Sequence, residues 1–337
     1  MTRILSAILS RLLHSLVVLL VLSVVIFAFM RAIPGDPIAN MMGGEGITQD
    51  VIDQRRSELG LDRPYYIQYF AWLGDVMHGD LGRSLRTNDP VLPELMLRLK
   101  ATAELAVLAT LLGALVGTAV GVIAAIRRGG WFDALTMLGT LSGISLPVFW
   151  FGMILIVLFS VQLDLLPTGG MMDYSISLQS VTGFALLDSL LTLNFEATLD
   201  ILSHMVLPVL TLATAPAALI ARTTRASVLE VINEDYVNAG LARGLSYPTV
   251  IARHVLRNAL IPVVTIIGLE IGVYLGGSIV TETLFSWPGL GRHMMQAIMS
   301  NDYPIVQGAI LLYAIIIVAV NLIVDISYGF IDPRVRQ

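Results

Sequence analysis

The sequence predicts an all-α integral membrane protein with six transmembrane helices and an extracytoplasmic segment after the first helix. Of its 337 residues, 56% are hydrophobic and only 13% are charged, and the mean hydropathy is +0.80. Soluble globular chains are about 25% charged, and so much apolar surface cannot be hidden in one soluble core of this size. The chain also contains six apolar stretches, each long enough to cross a hydrocarbon layer of about 30 Å as a helix.

The six predicted spans differ in how regular their sequences are. The first follows Arg3 and Arg11 and lacks the small-residue cleavage site of a signal peptide, so it is interpreted as a retained anchor. Pro147 interrupts the third span, whose length also allows two shorter elements, and Pro208 and Pro216 interrupt the fourth. In chain order, the predicted spans are 11–31, 103–126, 134–162, 204–221, 260–284 and 305–327.

Basic residues lie mainly in the loops on one side of these spans. Residues 163–203, in contrast, contain no Lys or Arg. The positive-inside rule therefore predicts that both termini and the loops 127–133 and 222–259 are cytoplasmic. The outer segment 32–102 also carries basic residues, but long segments translocate largely regardless of their charge.

The segment 32–102 is polar enough to form a small extramembrane subdomain. The run Ile33-Pro34-Gly35-Asp36-Pro37 ends the first span, because two prolines and a glycine cannot continue a helix. Residues 48–59 predict a helix with Thr48 as its N-cap. Two interpretations stay open: a solvated cap over the bundle, or a docking surface for an extracytoplasmic partner.

Two of the spans carry glycine at every fourth position. Such rows let helix backbones approach closely where lipid provides no hydrophobic drive for association. We favour packing within the monomer, and the alternative is an interface with a second, homologous subunit. The rows are Gly113, Gly117 and Gly121 in the second span and Gly268, Gly272 and Gly276 in the fifth.

The loop after the fourth span predicts two short helices joined by a tight turn. Asn233 is a suitable N-cap for the first helix, and Glu234 and Asp235 are favourably placed against its N-terminal dipole. Arg243 lies in the last turn, and Gly244 fits the left-handed position that ends a helix.

The second of these helices begins after the Gly-Leu-Ser turn. Ser246 is its predicted N-cap, Pro248 is tolerated in its first turn, and it runs to about Arg257. A helix-turn-helix DNA reader is excluded, since the basic excess is weak and apolar spans flank both sides. No nucleic-acid partner is expected.

This loop resembles the EAA loop of permeases from binding-protein-dependent ABC importers. The motif has the form E-A-A-x3-G-x9-I-x-L-P, and here Asn238, Ala239 and Gly240 stand at E-A-A and Gly244 at the glycine. The departures from it match the dipeptide/oligopeptide branch, which also includes opine and nickel permeases. Within the loop, the runs similar to that branch are Glu234-Asp235-Tyr236, Ala242-Arg243-Gly244-Leu245 and His254-Val255-Leu256-Arg257-Asn258-Ala259.

The resemblance extends over nearly the whole chain and points to the B-type dipeptide permeases. It implies a type I ABC importer permease fold in three parts: a first helix with its periplasmic segment (1–97), a transmembrane domain (98–327) and a cytoplasmic tail (328–337). Other similarly placed runs include Gly79-Asp80-Leu81-Gly82, Ser286-Trp287-Pro288-Gly289-Leu290-Gly291-Arg292 and Asp332-Pro333-Arg334.

The same resemblance implies partners and a mechanical role. The chain would lie in the lipid of a bacterial inner membrane with a second homologous permease subunit, two cytoplasmic ATP-binding subunits and a periplasmic solute-binding protein. Its loop would form the coupling helix that docks on an ATPase. The residues implied in that coupling are Glu234, Asp235, Tyr236, Ala239, Ala242, Arg243, Gly244, Leu245, His254, Arg257 and Asn258.

Glu270 is an ionisable residue midway along the fifth span. It lies two residues from both Gly268 and Gly272 and therefore roughly opposite the glycine row. A carboxylate at membrane depth faces a cavity or a partner by default. It is predicted either to line the translocation pathway, where it could attract a peptide ammonium group, or to sit protonated or hydrogen-bonded between helices.

The sequence argues against an enzyme and predicts no cofactor bound by this chain. It has no cysteine, no H-E-x-x-H and no G-x-S-x-G, and its only lysine, Lys100, is outside any phosphate-binding loop. A secondary transporter would ordinarily show an internal repeat, which is not found. The predicted function is import of dipeptides or short peptides by alternating access, with nickel chelates, glutathione or opines as alternative substrates.

Overall fold

The computed structural model describes residues 2–32, 49–58 and 60–331. Within these ranges the regular secondary structure is helical, apart from one isolated β-bridge between Arg83 and Pro90. Thr48 and the runs 33–37 and 332–334 lie outside the described residues. The helices are α1 (Thr2–Ala32), α2 (Gln49–Glu58), α3 (Tyr65–Met77), α4 (Val91–Ile126), α5 (Trp131–Ser145), α6 (Val148–Leu155), α7 (Ala185–Leu191), α8 (Phe195–Val231), α9 (Asp235–Ala242), α10 (Tyr247–Val250), α11 (Leu256–Ala259), α12 (Ile261–Leu275), α13 (Ile279–Leu284), α14 (Leu290–Met299) and α15 (Tyr303–Ile331).

Up to six membrane spans are formed by the described helices. Four are single helices: Leu13–Ala32 of α1, all of α4, all of α8, and Tyr303–Ile323 of α15. Two more are bent pairs of helices, which bring the number to the predicted six if each pair is one span. The predicted boundary at residue 97 falls inside α4, which therefore belongs to both the outer segment and the bundle.

The third and fifth predicted spans are not continuous helices. At Pro147 the chain turns by 104° between α5 and the helix that starts at Val148, which then passes into a π-helical stretch, Ile156–Gln162. The fifth span, predicted over 260–284, ends at Leu275. Gly277 has φ +94°, and a separate short helix, α13, follows.

The fourth span is much longer than predicted at both ends, and its two prolines do not interrupt it. α8 runs through Pro208 and Pro216 over 37 residues. Proline at position 216 leaves the carbonyl of Leu212 without its usual helical partner. The hydroxyl of Tyr274 in α12 donates to that carbonyl at 2.9 Å, so a neighbouring helix supplies the missing hydrogen bond.

Both glycine rows pack within the chain, as the favoured interpretation predicted. A Cβ atom on Gly117 or Gly121 would lie 2.6 or 2.5 Å from a backbone carbonyl oxygen of α8, so α4 and α8 are in direct backbone contact there. In α12, Gly272 faces Val320 and Gly276 lies against the ring of Tyr313, both in α15. Close α4–α8 packing forms the centre of the bundle.

The run 286–292 connects α13 and α14 and fixes them to α4. Trp287 is fully buried, and its indole nitrogen donates to the carbonyl of Ala101 at 2.9 Å. Glu282, also fully buried, accepts from the Thr102 hydroxyl at 2.8 Å and from the backbone N–H of Arg292 at 2.9 Å. Glu282 could not be identified from the sequence, because its partners are backbone groups and one threonine distant in the chain.

Candidate functional site

The loop between α8 and α12 folds as a helical elbow, which we define as residues 234–259. Its first helix is α9, and its second part consists of α10, a π-helical turn (Ile251–Val255) and α11. Gly244 adopts φ +86°, which confirms the predicted left-handed stop after α9. The second part bends by 51° into α12, so the elbow is directly joined to a membrane span.

The helix caps of the elbow differ from their prediction. Glu234, rather than Asn233, is the N-cap of α9, and its side chain makes no cap hydrogen bond. The Asn233 amide instead donates to the carbonyl of Leu229 at 2.7 Å, because α8 continues far enough to offer it. Ser246 is the N-cap of α10 as predicted, but its hydroxyl pairs with that of Thr249 at 2.8 Å.

The inner face of the elbow is apolar and buried against the ends of α4 and α8. Every member of this cluster has at most 6% of its surface exposed. The cluster joins both parts of the elbow to the two central helices of the bundle, so the elbow is held as one body with them. Its members are Ala125, Val228, Val237, Val250, Ile251, Val255 and Ala259.

Three of the predicted coupling residues also hold the two parts of the elbow together. The amide of Asn258 donates to the hydroxyl of Tyr236 at 2.8 Å, which ties the second part to α9. His254 is half-buried, with its ring close to Gly240 of α9. The described residues contain no group of three or more His, Cys, Asp or Glu that could hold a metal ion.

The outer face of the elbow is exposed and mixed in character. Leu241, Leu245 and Tyr247 are 38%, 40% and 45% exposed. Arg243 lies among them, and the acidic pair Glu234 and Asp235 marks the N-terminal end of α9. Exposed apolar side chains beside charges are typical of a surface that binds a protein partner. The other exposed residues here are Asn238, Ala239, Ala242, Gly244 and Ser246, with Arg257 on the second part.

An ion pair that the sequence analysis did not identify braces the same end of the bundle. Arg225 of α8 donates to both carboxylate oxygens of Asp133 at 2.5 and 2.8 Å, and Asp133 also accepts from the backbone N–H of Gly129 at 3.0 Å. This pair fixes α5 to α8 six residues before α8 ends. Only tertiary structure could reveal it, since 92 residues separate the partners.

Glu270 lies half-exposed on α12, on a face other than the one packed against α15. Within the described part of the chain, no hydrogen bond or ion pair reaches its carboxylate. The interpretation that the carboxylate is protonated or hydrogen-bonded between helices stays a prediction, as does a position in the translocation pathway. The residue lies at the depth of a membrane span, about one helical turn from Tyr274.

The fold and the elbow together define a multi-pass membrane protein of the permease class. Residues 117–337 match the family of binding-protein-dependent transport system inner membrane components, and residues 4–106 match the N-terminal family of such membrane components. The chain belongs to this family. Its members are multi-pass inner-membrane proteins and permease subunits, and the family implies ATPase and binding-protein partners.

Curated relatives cover almost the whole chain. The dipeptide transport system permease protein DppB of Escherichia coli K12 is 46% identical over 314 residues, which are 92% of this chain and 93% of that protein. The glutathione transport system permease protein GsiC of Escherichia coli O6:H1 is 40% identical over 332 residues, 98% of this chain and 99% of that protein.

A solved structure confirms the predicted fold class. An inward-facing form of the MetNI methionine ABC transporter superposes with a TM-score of 0.52 at 17% identity, covering 71% of this chain and 96% of the matched chain. At this identity the likeness concerns the fold alone. The chain therefore has the helical fold of a type I ABC importer permease.

Proposed function

We propose that this chain is the permease subunit of an ATP-driven importer that moves dipeptides across the bacterial inner membrane. The observation that carries the proposal is the elbow. It has one face buried against α4 and α8 and one face free for a partner. An element rigidly joined to the spans on one side and exposed on the other can transmit movement between a soluble partner and the membrane domain.

The proposed partners follow from the faces of the molecule. The exposed elbow docks on a cytoplasmic ATP-binding subunit, and a second, homologous permease presents its own elbow to a second such subunit. The arginines near the elbow, including Arg225, Arg243 and Arg257, support a cytoplasmic location for this end of the bundle and for both termini. A periplasmic binding protein then delivers the peptide at the opposite end.

Movement of the elbow reaches the spans through two connections. The apolar cluster joins it to α4 and α8, and the 51° bend after Ala259 joins it to α12. The Asp133–Arg225 pair passes movement of α8 on to α5. Because packed interfaces have discrete arrangements rather than deforming continuously, closure of two ATPases would switch the spans between inward-facing and outward-facing states. ATP hydrolysis belongs to the partner subunits in this proposal.

Glu270 is proposed to line the translocation pathway. Within the described residues no hydrogen bond or ion pair reaches its carboxylate, so it could attract the α-ammonium group of an entering peptide. An intramembrane carboxylate that faced lipid instead would be costly.

The proposal is tested by reconstitution with purified partners. Proteoliposomes that contain this permease, its homologous partner and both ATPases are expected to take up labelled dipeptide only when ATP and binding protein are present. The permease alone is expected to hydrolyse no ATP. Uptake without the ATPases would instead indicate a secondary transporter, and the coupling role of the elbow would be refuted.

The substrate is tested separately, because selectivity in such systems lies largely with the binding protein. Thermal-shift screening of that protein against dipeptides, glutathione, nickel chelates and opines is expected to show stabilisation by dipeptides. The 40% identity to a glutathione permease makes glutathione the second candidate. A shift with glutathione alone would replace the substrate and leave the transport mechanism intact.

A further inference from the structure

Helix α3 lies in the segment between the first two spans, which the sequence describes as extramembrane, yet it packs along α1. The Tyr69 hydroxyl and the Ser23 hydroxyl are 2.9 Å apart, and Gln68 accepts from Arg31 at 3.0 Å. The ring of Phe27 lies 5.5 Å from that of Tyr69 and 5.9 Å from that of Trp72. α3 is therefore in contact with α1 from residue 23 to residue 31.

These contacts place α3 at a depth within the first membrane span. The apolar span of α1 runs from Leu13 to Ala32, so Ser23 lies nine residues from its end. At a rise of about 1.5 Å per residue this corresponds to ~13 Å inside the span. A tyrosine side chain is much shorter than that distance, so the backbone of α3 itself lies below the end of the span.

The side of α3 that faces away from the protein is apolar. Tyr66, Phe70 and Met77 are 66%, 66% and 78% exposed, and Leu73 lies between them. Positions 66, 70, 73 and 77 follow the spacing i, i+4, i+7 and i+11, so they form one stripe along the helix. No charged residue lies in this stripe.

The neighbouring faces show what covers the stripe. On α1, Val24 is 45% exposed next to the contact with α3, and Val25 and Phe29, on the side of α1 that turns away from α3, are 55% and 63% exposed; an exposed apolar face on a membrane span contacts lipid. Next to the contact with α1, Ala71 and Asp75 line a cavity of about 380 Å³, together with Arg63. The apolar stripe therefore lies on the outside of the packed pair of helices, as does the exposed face of α1, whereas Ala71 and Asp75 turn toward the rest of the segment.

We propose that α3 is an interfacial helix embedded in the bilayer leaflet on the opposite side from the elbow, with the stripe Tyr66, Phe70, Leu73 and Met77 covered by lipid. Tyrosine is enriched at membrane interfaces, where its ring is apolar and its hydroxyl remains wet. An amphipathic helix with one such face buries that face at the boundary between head groups and acyl chains. The first helix and the outer segment are thereby anchored to the membrane at a second point.

The absence of cysteine from the chain makes a direct test available. Single cysteines are introduced at Tyr66, Phe70 or Met77, labelled with a nitroxide, and studied in proteoliposomes with the partner permease and ATPases. Collisions of the label with oxygen, which partitions into lipid, are compared with collisions with a water-soluble nickel chelate. Uptake by each variant verifies that the transporter is assembled.

Matched control positions define how a label behaves in lipid and in water. V25C and F29C report the lipid-facing side of α1, and D62C reports an exposed polar position just before α3. We expect labels in the stripe to favour oxygen, as at Val25 and Phe29, and the sign of the preference to reverse at Asp62. Stripe labels that favour the nickel chelate would show a water-exposed helix, and labels shielded from both probes would show a protein partner. Either result would overturn the proposal.

Discussion

Gly244 offers the sharpest test of the coupling role of the elbow. Its φ of +86° ends α9, and no atom lies within 4 Å of the position that a Cβ would take. Substitution by aspartate therefore adds no clash and costs at most about 1–2 kcal/mol of backbone strain. Since membrane and soluble domains alike are stable by several times that amount, about 5–15 kcal/mol, Gly244→Asp should still fold and insert.

We expect Gly244→Asp to weaken the docking of the elbow on the ATPase. A carboxylate at this position would be buried without a partner wherever the outer face of the elbow meets another protein, and a buried unpaired charge costs about 3–5 kcal/mol. At about 1.4 kcal/mol per tenfold change, association with the ATPase should weaken by roughly 100-fold or more. Uptake should be abolished, and ATP hydrolysis by the remaining complex should no longer respond to substrate-loaded binding protein.

Two controls separate docking from backbone strain. Gly244→Asn has nearly the same shape and the same tolerance of the left-handed conformation but no charge, so it should retain part of the uptake. Gly79→Asp makes the same change at a glycine with φ +82° and no neighbouring atom, outside the elbow. Normal stimulation of ATP hydrolysis in Gly244→Asp, or an equal loss in Gly79→Asp, would refute the reasoning.

Four further predictions concern stability and transport. Gly121→Ala should lower the free energy of unfolding by about 1–3 kcal/mol, since the new Cβ would lie 2.5 Å from a backbone carbonyl oxygen of α8. In the same denaturation assay Gly139→Ala should be neutral or stabilising, because the space around Gly139 is open. Asp133→Ala should lower the free energy of unfolding by about 3 kcal/mol, because it leaves Arg225 unpaired. Asp133→Asn should lower it by less, because the amide oxygen still accepts from the N–H of Gly129; equal losses in the two variants would contradict this reasoning. Glu270→Gln should reduce uptake of peptides with a free α-ammonium group more than uptake of N-acetylated peptides, and unchanged transport of both would exclude a pathway role. Burial alone would raise the pKa of Asp188, but hydrogen bonds from Thr182, Gly183 and Val181 lower that pKa to about 2. The contribution of the Asp188 carboxylate to stability is therefore present above pH ~4 and is lost as the pH falls toward 2. The difference in melting temperature between wild type and Asp188→Asn should shrink over that pH range, and a constant difference would contradict the prediction.

Much of the fold could be predicted because the membrane imposes a strong and local constraint. A run of about 20 apolar residues can satisfy its backbone in lipid only as a helix, so six apolar stretches could be identified from the sequence, and the structure has four single spanning helices and two bent pairs there. The left-handed stop at Gly244 and the close packing at the glycine rows could also be predicted from local sequence. Only glycine adopts the left-handed conformation without strain, and only glycine lets two helices approach so closely.

The ends of the helices could not be predicted in the same way. Pro208 and Pro216 suggested an interrupted fourth span, whereas α8 is continuous because Tyr274, in another helix, satisfies the carbonyl that Pro216 frees. Similarly, Asn233 had the right chemistry for an N-cap but found a nearer acceptor on the extended α8. In each case a contact between elements overrode a local preference.

By itself the sequence determined that this is a helical membrane protein, where its chain crosses the membrane, and which loop carries the family motif. Tertiary structure decided which faces of that loop are buried and which are free, and that Asp133 and Arg225 meet across 92 residues. It also decided that α3 lies against the first span. The physical reason is the range of the interactions: apolar runs and turn residues act within a few positions, whereas exposure and pairing depend on every helix that packs nearby.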